Sequence, residues 1–187
     1  MLAFDIESLG HNENSIVLSM AFTYFETDGE YTIDDLRANT CFVKFDIKEQ
    51  KEKGRTVDTD TVAWWKKQCE IVQKKSLFPS RNDVSVLEGL SIARKFIEDK
   101  TGGKEEYIFV RGNLDNFLID NLCTQFGVPL LFNFWQVLDF RTAIIMTKET
   151  STKNGYCPFP GSDDPTLIKH CPENDNIIEV MQLLYGK

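Results

Sequence analysis

The stretch FDIESLG places Asp5 and Glu7 one residue apart inside an otherwise apolar segment. On a strand, alternation puts both carboxylates on one face, with attachment points roughly 6.6 Å apart. Two acids so placed repel each other unless something positive sits between them, and a divalent cation is the usual answer. A strand end whose acids point at water has the same pattern, so an isolated D-x-E leaves both readings open.

The segment HCPEND holds His170 and Asp175. A five-residue offset on one helix would turn the two side chains about 140° apart, and Pro172 biases Cys171 away from helical geometry. His170 is therefore expected on an approach loop, and Asp175 in the first turns of a helix carrying Ile177, Ile178, Met181 and Leu184. The imidazole would hang from a movable segment while the aspartate sits on a rigid one. With only His11 and His170 in the chain, a general base of near-neutral pKa has few candidates. A polar helix entrance, with Asp175 near the positive end of the dipole, is the competing explanation. A third segment, VRGNLDNFLIDNL, ends a strand at Arg111 and Gly112 and opens a helix near Asn113. Asp115 falls in its first turn, over the strand end where ligands of such sheets collect, though an acid there also suits a helix N-terminus. Asp120 lies one and a half turns further on.

The elements that must position these groups follow from periodicity and punctuation. Residues 1–7 and 15–25 read as a hairpin, 39–45 as a third strand and 107–111 as a buried strand, with 130–138 strand-like. Helical spacing covers 60–75, 84–99, 113–126, 141–148 and 172–185, with Asp58, Thr59 or Asp60 available to cap the first of these and Gly102 and Gly103 ending the second. Residues 149–165 read as a loop. An early meander followed by strands reached through helical crossovers gives a mixed sheet covered by helices, in one domain spanning 1–187.

The 187 residues carry 21 Lys and Arg against 29 Asp and Glu, a net charge of −8. Disorder is excluded, since 42% of the residues are hydrophobic. No apolar run is long enough for a membrane-spanning helix, and MLAFDIESLG has no basic-then-apolar leader, so neither membrane insertion nor export is expected. Five cysteines without a CxxC pair indicate neither a disulfide framework nor structural zinc, and a reducing, cytoplasmic setting is expected. Counterion release calls for a basic stripe, so a nucleic-acid partner would need local positive charge or bound metal. The richest basic stretch, 44–55, followed by Lys66, Lys67, Lys74 and Lys75, reads as a solvated loop and helix face.

With four acids and one histidine at element ends, the chain resembles the DEDD-type 3′→5′ exonucleases of the ribonuclease-H-like fold, in their histidine-bearing branch. FDIESLG looks like the first motif, RGNLDNFLI the second and HCPEND the third. The likeness extends toward the exonuclease A group of T-even phages in KFDIKEQ, TVAWWKKQ, VRG, FWQVLDFRT and the CPFP loop. The second motif is one residue shorter than the family pattern between Gly112 and the acid, which leaves Asp120 as an alternative to Asp115. The resemblance implies an α/β, ribonuclease-H-like mixed sheet of five to six strands flanked by helices. It also implies that Asp5, Glu7, Asp115 and Asp175 hold two Mg²⁺ or Mn²⁺ ions ~3.5–4 Å apart, with His170 accepting a proton from water. Nucleoside 5′-monophosphates would leave a nucleic-acid 3′ end, with single-stranded DNA favoured over RNA, in a bacterial host's cytoplasm if phage-encoded.

On the substrate side the resemblance implies Ser8 and Leu9, and Trp64 and Arg111 are further candidates to contact substrate. Leu9 would contact the terminal nucleotide as a wedge, or staple into the core instead. Adjacent Trp64 and Trp65 point about 100° apart on a helix, so Trp65 is expected inward with Val62 and Cys69. Trp64 would then be partly exposed, stacking a base or packing under a loop. Asp139 and Arg141 read as an internal ion pair or a substrate-side brace, and Cys171 as no nucleophile. An exoribonuclease of the same fold is the nearest alternative function. From another class, an acidic protein mimicking DNA would spread its acids over an exposed face.

Overall fold

The computed structural model describes residues 1–148 and 153–187. β1 (Leu2–Ser8) alternates: Leu2, Phe4 and Ile6 join one core, while Ala3 joins another and shares its face with Asp5 and Glu7. β2 (Val17–Tyr24) is buried along nearly its whole length, as expected of a strand covered on both faces. It runs antiparallel to β1, and β3 (Thr40–Lys44) runs antiparallel to β2. On the other side β4 (Ile108–Val110) and β5 (Val137–Asp139) pair in parallel, giving a five-stranded sheet of order β3-β2-β1-β4-β5. The mixed, helix-covered sheet of the sequence reading is thus present, and β1, which carries two of the acids, is its middle strand.

The polar break before β3 contains a short helix, α1 (Ile33–Ala38), closed by a Thr32/Asp35 capping box. α2 (Lys48–Glu52) lies within the basic stretch read as solvated surface. That reading fails at two residues. Gln50 is fully buried and exchanges both amide hydrogen bonds with the Val17 backbone (2.9 and 2.8 Å). Arg55 is buried too, its guanidinium donating to Ser15 O and to Asn121 and Gln125 side chains. Both satisfy backbone that the turn after β1 would otherwise leave unpaired.

The helix expected over 60–75 is three pieces. α3 (Thr59–Trp65) is capped by Asp58, which accepts from Thr61 N–H at 2.7 Å. α4 (Glu70–Val72) runs into a π-turn, Gln73–Leu77. Trp65 is buried as expected, but Cys69 is exposed because the helix breaks before it. α5 (Val86–Thr101) starts at Ser85 and ends on Gly102 at φ +63°, the left-handed stop its glycines announce. α6 (Leu114–Phe126) and α5 cover one face of the sheet, where Phe4 and Phe22 stack with ring centroids 4.5 Å apart. α7 (Phe140–Thr147) and α8 (Pro172–Tyr185) cover the other, around Phe25, Phe109, Ile177 and Met181. The strand expected over 130–138 shrinks to β5, its first residues forming a loop and a single 3-10 turn, Phe134–Gln136. Residues 149–152 of the predicted loop lie outside the described residues.

Candidate active site

Three of the predicted acids meet. Asp5 and Glu7 project from the α8 face of β1, and Asp175, in the first turn of α8, comes down onto them; each offers a carboxylate oxygen within 4.8 Å of the others. Helix α8 is fixed in that register by Asn176, whose buried amide donates to Ala21 O at 2.9 Å, and by Pro172 at its first position. The fourth acid, Asp115, is 8% exposed near the N-terminus of α6 and lies within electrostatic reach of Asp5, Glu7 and Asp175. Its placement depends on the end of β4. Gly112 turns the chain at φ +85° and donates its N–H to Asp139 at 2.9 Å, while the same carboxylate caps α7 through Thr142 N–H at 2.7 Å. Asp139 is therefore a brace of the strand end, and Arg141 is exposed rather than the partner of an internal ion pair. Asp120 sits apart, its acidity weakened by burial alone.

Burial and mutual repulsion raise all four carboxyls. Asp5 and Glu7 lie well above the ordinary range, mainly through desolvation and then through their acidic neighbours. Asp115 is pushed up to about 8 and Asp175 to about 7 by the same causes, although Asp175 is partly relieved by Cys171 N–H, which donates to it at 3.0 Å. Among the described residues no Lys or Arg forms an ion pair with any of the four. An oxygen-only cluster of this kind, half-buried and without a compensating cation, fits hard divalent cations.

A fifth acid escaped the sequence reading. Glu179, one turn beyond Asp175 on α8, is 8% exposed and adds to the repulsion on Asp5, Asp115 and Asp175. Arg111 pairs with it through two hydrogen bonds and also donates to Asn154 O at 2.6 Å. Arg111 is thereby engaged with Glu179, and Tyr156 lies 4.3 Å from its guanidinium. A lone acid in the apolar run IIEVMQ was the available signal.

Beside the acids opens a cleft of ≈ 640 Å³ lined by Ile6, Glu7, Ser8, His11, Thr61, Trp64 and Leu114, among others. Trp64 is 40% exposed there, and its ring stands edge-on to the His170 imidazole with centroids 4.7 Å apart. His170 is held below its usual pKa by burial and then by Lys169. Ser8 lines the cleft, its carbonyl accepting from Trp65 Nε1 at 2.9 Å. Leu9 does not: its side chain is buried with Ile16, Leu18 and Trp65, and its backbone is paired with Ile16 O and Asp58 N–H. Of the two readings for Leu9, the core staple is the one its surroundings fit. Cys171 is buried with its thiol pushed up to about 12, unsuited to nucleophilic work.

The exodeoxyribonuclease of Enterobacteria phage T4 is 25% identical over 97% of this chain and 86% of its own length. Residues 1–170 match the family described as the 3′-5′ exoribonuclease Rv2179c-like domain. Because that match covers most of the chain, including the acid pair on β1, the second motif and the histidine, the chain belongs to this family and is a DEDD-type 3′-5′ exonuclease on a ribonuclease-H-like sheet.

Proposed function

We propose that this protein hydrolyses the terminal phosphodiester of single-stranded DNA from the 3′ end, releasing nucleoside 5′-monophosphates. The observation that carries the reading is the meeting of Asp5, Glu7 and Asp175, whose oxygens lie within 4.8 Å of one another, with Asp115 within electrostatic reach of them. These four side chains would hold two divalent cations, Mg²⁺ or Mn²⁺. When bound, such cations make water a better nucleophile and stabilise charge on the leaving 3′-oxygen. His170, whose ring meets Trp64 of the cleft wall, accepts the proton of the attacking water. Trp64 offers an aromatic face for the terminal base, and Ser8 lines the wall beside Glu7.

DNA is favoured because the T4 relative, which this chain matches along 97% of its length, is an exodeoxyribonuclease. RNA is the second reading, favoured by the family's own description. The DNA-mimic alternative requires acids spread over an exposed face, whereas here they are gathered into one half-buried cluster. Among the described residues no helix is long and apolar enough to cross a membrane.

The test uses 3′-labelled DNA and RNA oligonucleotides, single- and double-stranded, with and without Mg²⁺ or Mn²⁺, comparing native protein with His170→Ala. Cation-dependent mononucleotide release, faster on DNA and slowed ~10²–10⁴-fold in the variant, is expected. Faster release from RNA would make the exoribonuclease reading the correct one, and cation-independent binding without cleavage would remove the enzyme reading altogether.

A further inference from the structure

His170 is the one residue other than glycine with positive φ, +65°, among the described residues. A side chain in that region is strained and persists only where its surroundings over-determine it. The surroundings come from a distant part of the chain. The Ser76 hydroxyl donates to the His170 carbonyl at 3.0 Å, and Ser76 is fully buried. Ser76 sits on the π-turn Gln73–Leu77, a widened turn of the kind found disproportionately at functional sites.

That turn is itself anchored on both sides. Gln73 donates to the carbonyls of Lys66 and Gln68 at 3.1 and 2.6 Å, tying it to the end of α3. Lys75 pairs with Glu173 in the first turn of α8, two residues before Asp175. From α3, Trp64 then meets the imidazole edge-on at 4.7 Å. The segment between β3 and α5 thus grips His170 twice, at its carbonyl and at its ring. The expectation of an imidazole hanging from a free loop does not describe this contact.

We propose that Ser76 is a positioning residue for the exonuclease reaction: its hydroxyl holds the His170 peptide in the left-handed conformation that aims the imidazole at the attacking water. The inference rests on His170 acting as proton acceptor. Removing the hydroxyl loosens the carbonyl and lets the ring drift from its aim, while Cys171 N–H, on the same peptide unit, keeps its hydrogen bond to Asp175 and so limits any shift of the acid cluster. Misplacing a catalytic group by about 1 Å costs on the order of 10²-fold in rate.

The experiment measures single-stranded DNA and RNA hydrolysis at saturating Mn²⁺ for Ser76→Ala, His170→Ala and the double variant, with Mn²⁺ binding followed by calorimetry. Expected are a ~10–100-fold fall in kcat for Ser76→Ala, KM and Mn²⁺ affinity within about threefold, and no further loss when Ser76→Ala is added to His170→Ala. Should Ser76→Ala not fold, the near-isosteric pair Ser76→Thr and Ser76→Val decides, Thr retaining the rate and Val losing it. Additive losses in the double variant, or equal rates for Thr and Val, overturn the proposal. If His170→Ala itself is fully active, the proton-acceptor reading fails first; if His170→Ala is impaired and Ser76→Ala is not, only the positioning role fails.

Discussion

Arg111 at the end of β4 and Glu179 on α8 close on each other through two parallel hydrogen bonds, 68 residues apart in sequence. The pair is largely withdrawn from solvent, and its carboxylate lies among acids that have no such partner. Removing one member of a buried pair costs about 3–5 kcal/mol, because the other is left charged and unpaired. Arg111→Met should therefore lower Tm by roughly 6–20 °C, at ~2–4 °C per kcal/mol for a domain of this size. Glu179→Gln keeps a hydrogen-bonding arm and subtracts a negative charge from the cluster, so its loss should be less than half as large. Thermal unfolding followed by circular dichroism gives the order, and a reversed order would show that Arg111 does not serve to neutralise Glu179.

The raised carboxyls link stability to pH. Asp115 near 8 and Asp175 near 7, with Asp5 and Glu7 also raised, exceed the ~4 of unfolded carboxyls, so the folded state holds protons that the unfolded chain has released. Protonated in both states below about pH 4, these groups then contribute no penalty. As pH rises from about 4 to about 8 the unfolded chain ionises more easily and stability falls. The lowered pKa of His170 acts in the opposite sense, stability falling as pH drops through its range, but it is one group against four. In EDTA, Tm should decline from pH 5 to pH 8, and millimolar Mn²⁺ should abolish the decline. A flat profile in EDTA would contradict the uncompensated cluster.

Asp5→Asn tests function against stability in one variant. It deletes a charge that Glu7, Asp115 and Asp175 all oppose, and keeps the side chain's shape. In EDTA at pH 7.5 the variant should melt roughly 2–8 °C higher, equivalent to ~1–2 kcal/mol. Its exonuclease rate should fall by at least ~10²-fold, the scale of losing one electrostatic group at a reacting centre. A lower Tm together with retained activity would place Asp5 in a structural role.

Asp115 and Asp120 occupy the same helix but different environments. Asp115 shares the field of Asp175 and Glu179, whereas burial alone shifts Asp120. Asp115→Asn should weaken Mn²⁺ binding at least ~10-fold and reduce hydrolysis accordingly, while Asp120→Asn stays within about threefold on both. Calorimetric titration of Mn²⁺ into the two variants distinguishes them, and the opposite ranking would transfer the second-motif role to Asp120.

Much of the site could be read without coordinates because it is local. One-residue spacing in a strand fixed Asp5 and Glu7 on a common face, Pro172 fixed where α8 begins, and Gly112 fixed where β4 turns toward Asp115. Those features depend on backbone stereochemistry within a few residues. The break of the 60–75 helix into α3, α4 and a π-turn was not legible, since the apolar spacing continues across it and only the contact with His170 gives the widened turn a role. Arg55 likewise has the composition of a surface residue and is buried because the turn after β1 needs its hydrogen bonds.

The sequence by itself determined the alternation of β1, the ends of α5 and α8, and the presence of acids and a histidine at element boundaries, because each follows from dihedral preference and side-chain periodicity. Only the tertiary structure decided that Arg111 answers Glu179, that Leu9 turns inward, and that Ser76 and Trp64 hold His170. Those outcomes compare the burial and pairing of groups tens of residues apart, and such energies exist only once the chain has brought them into contact.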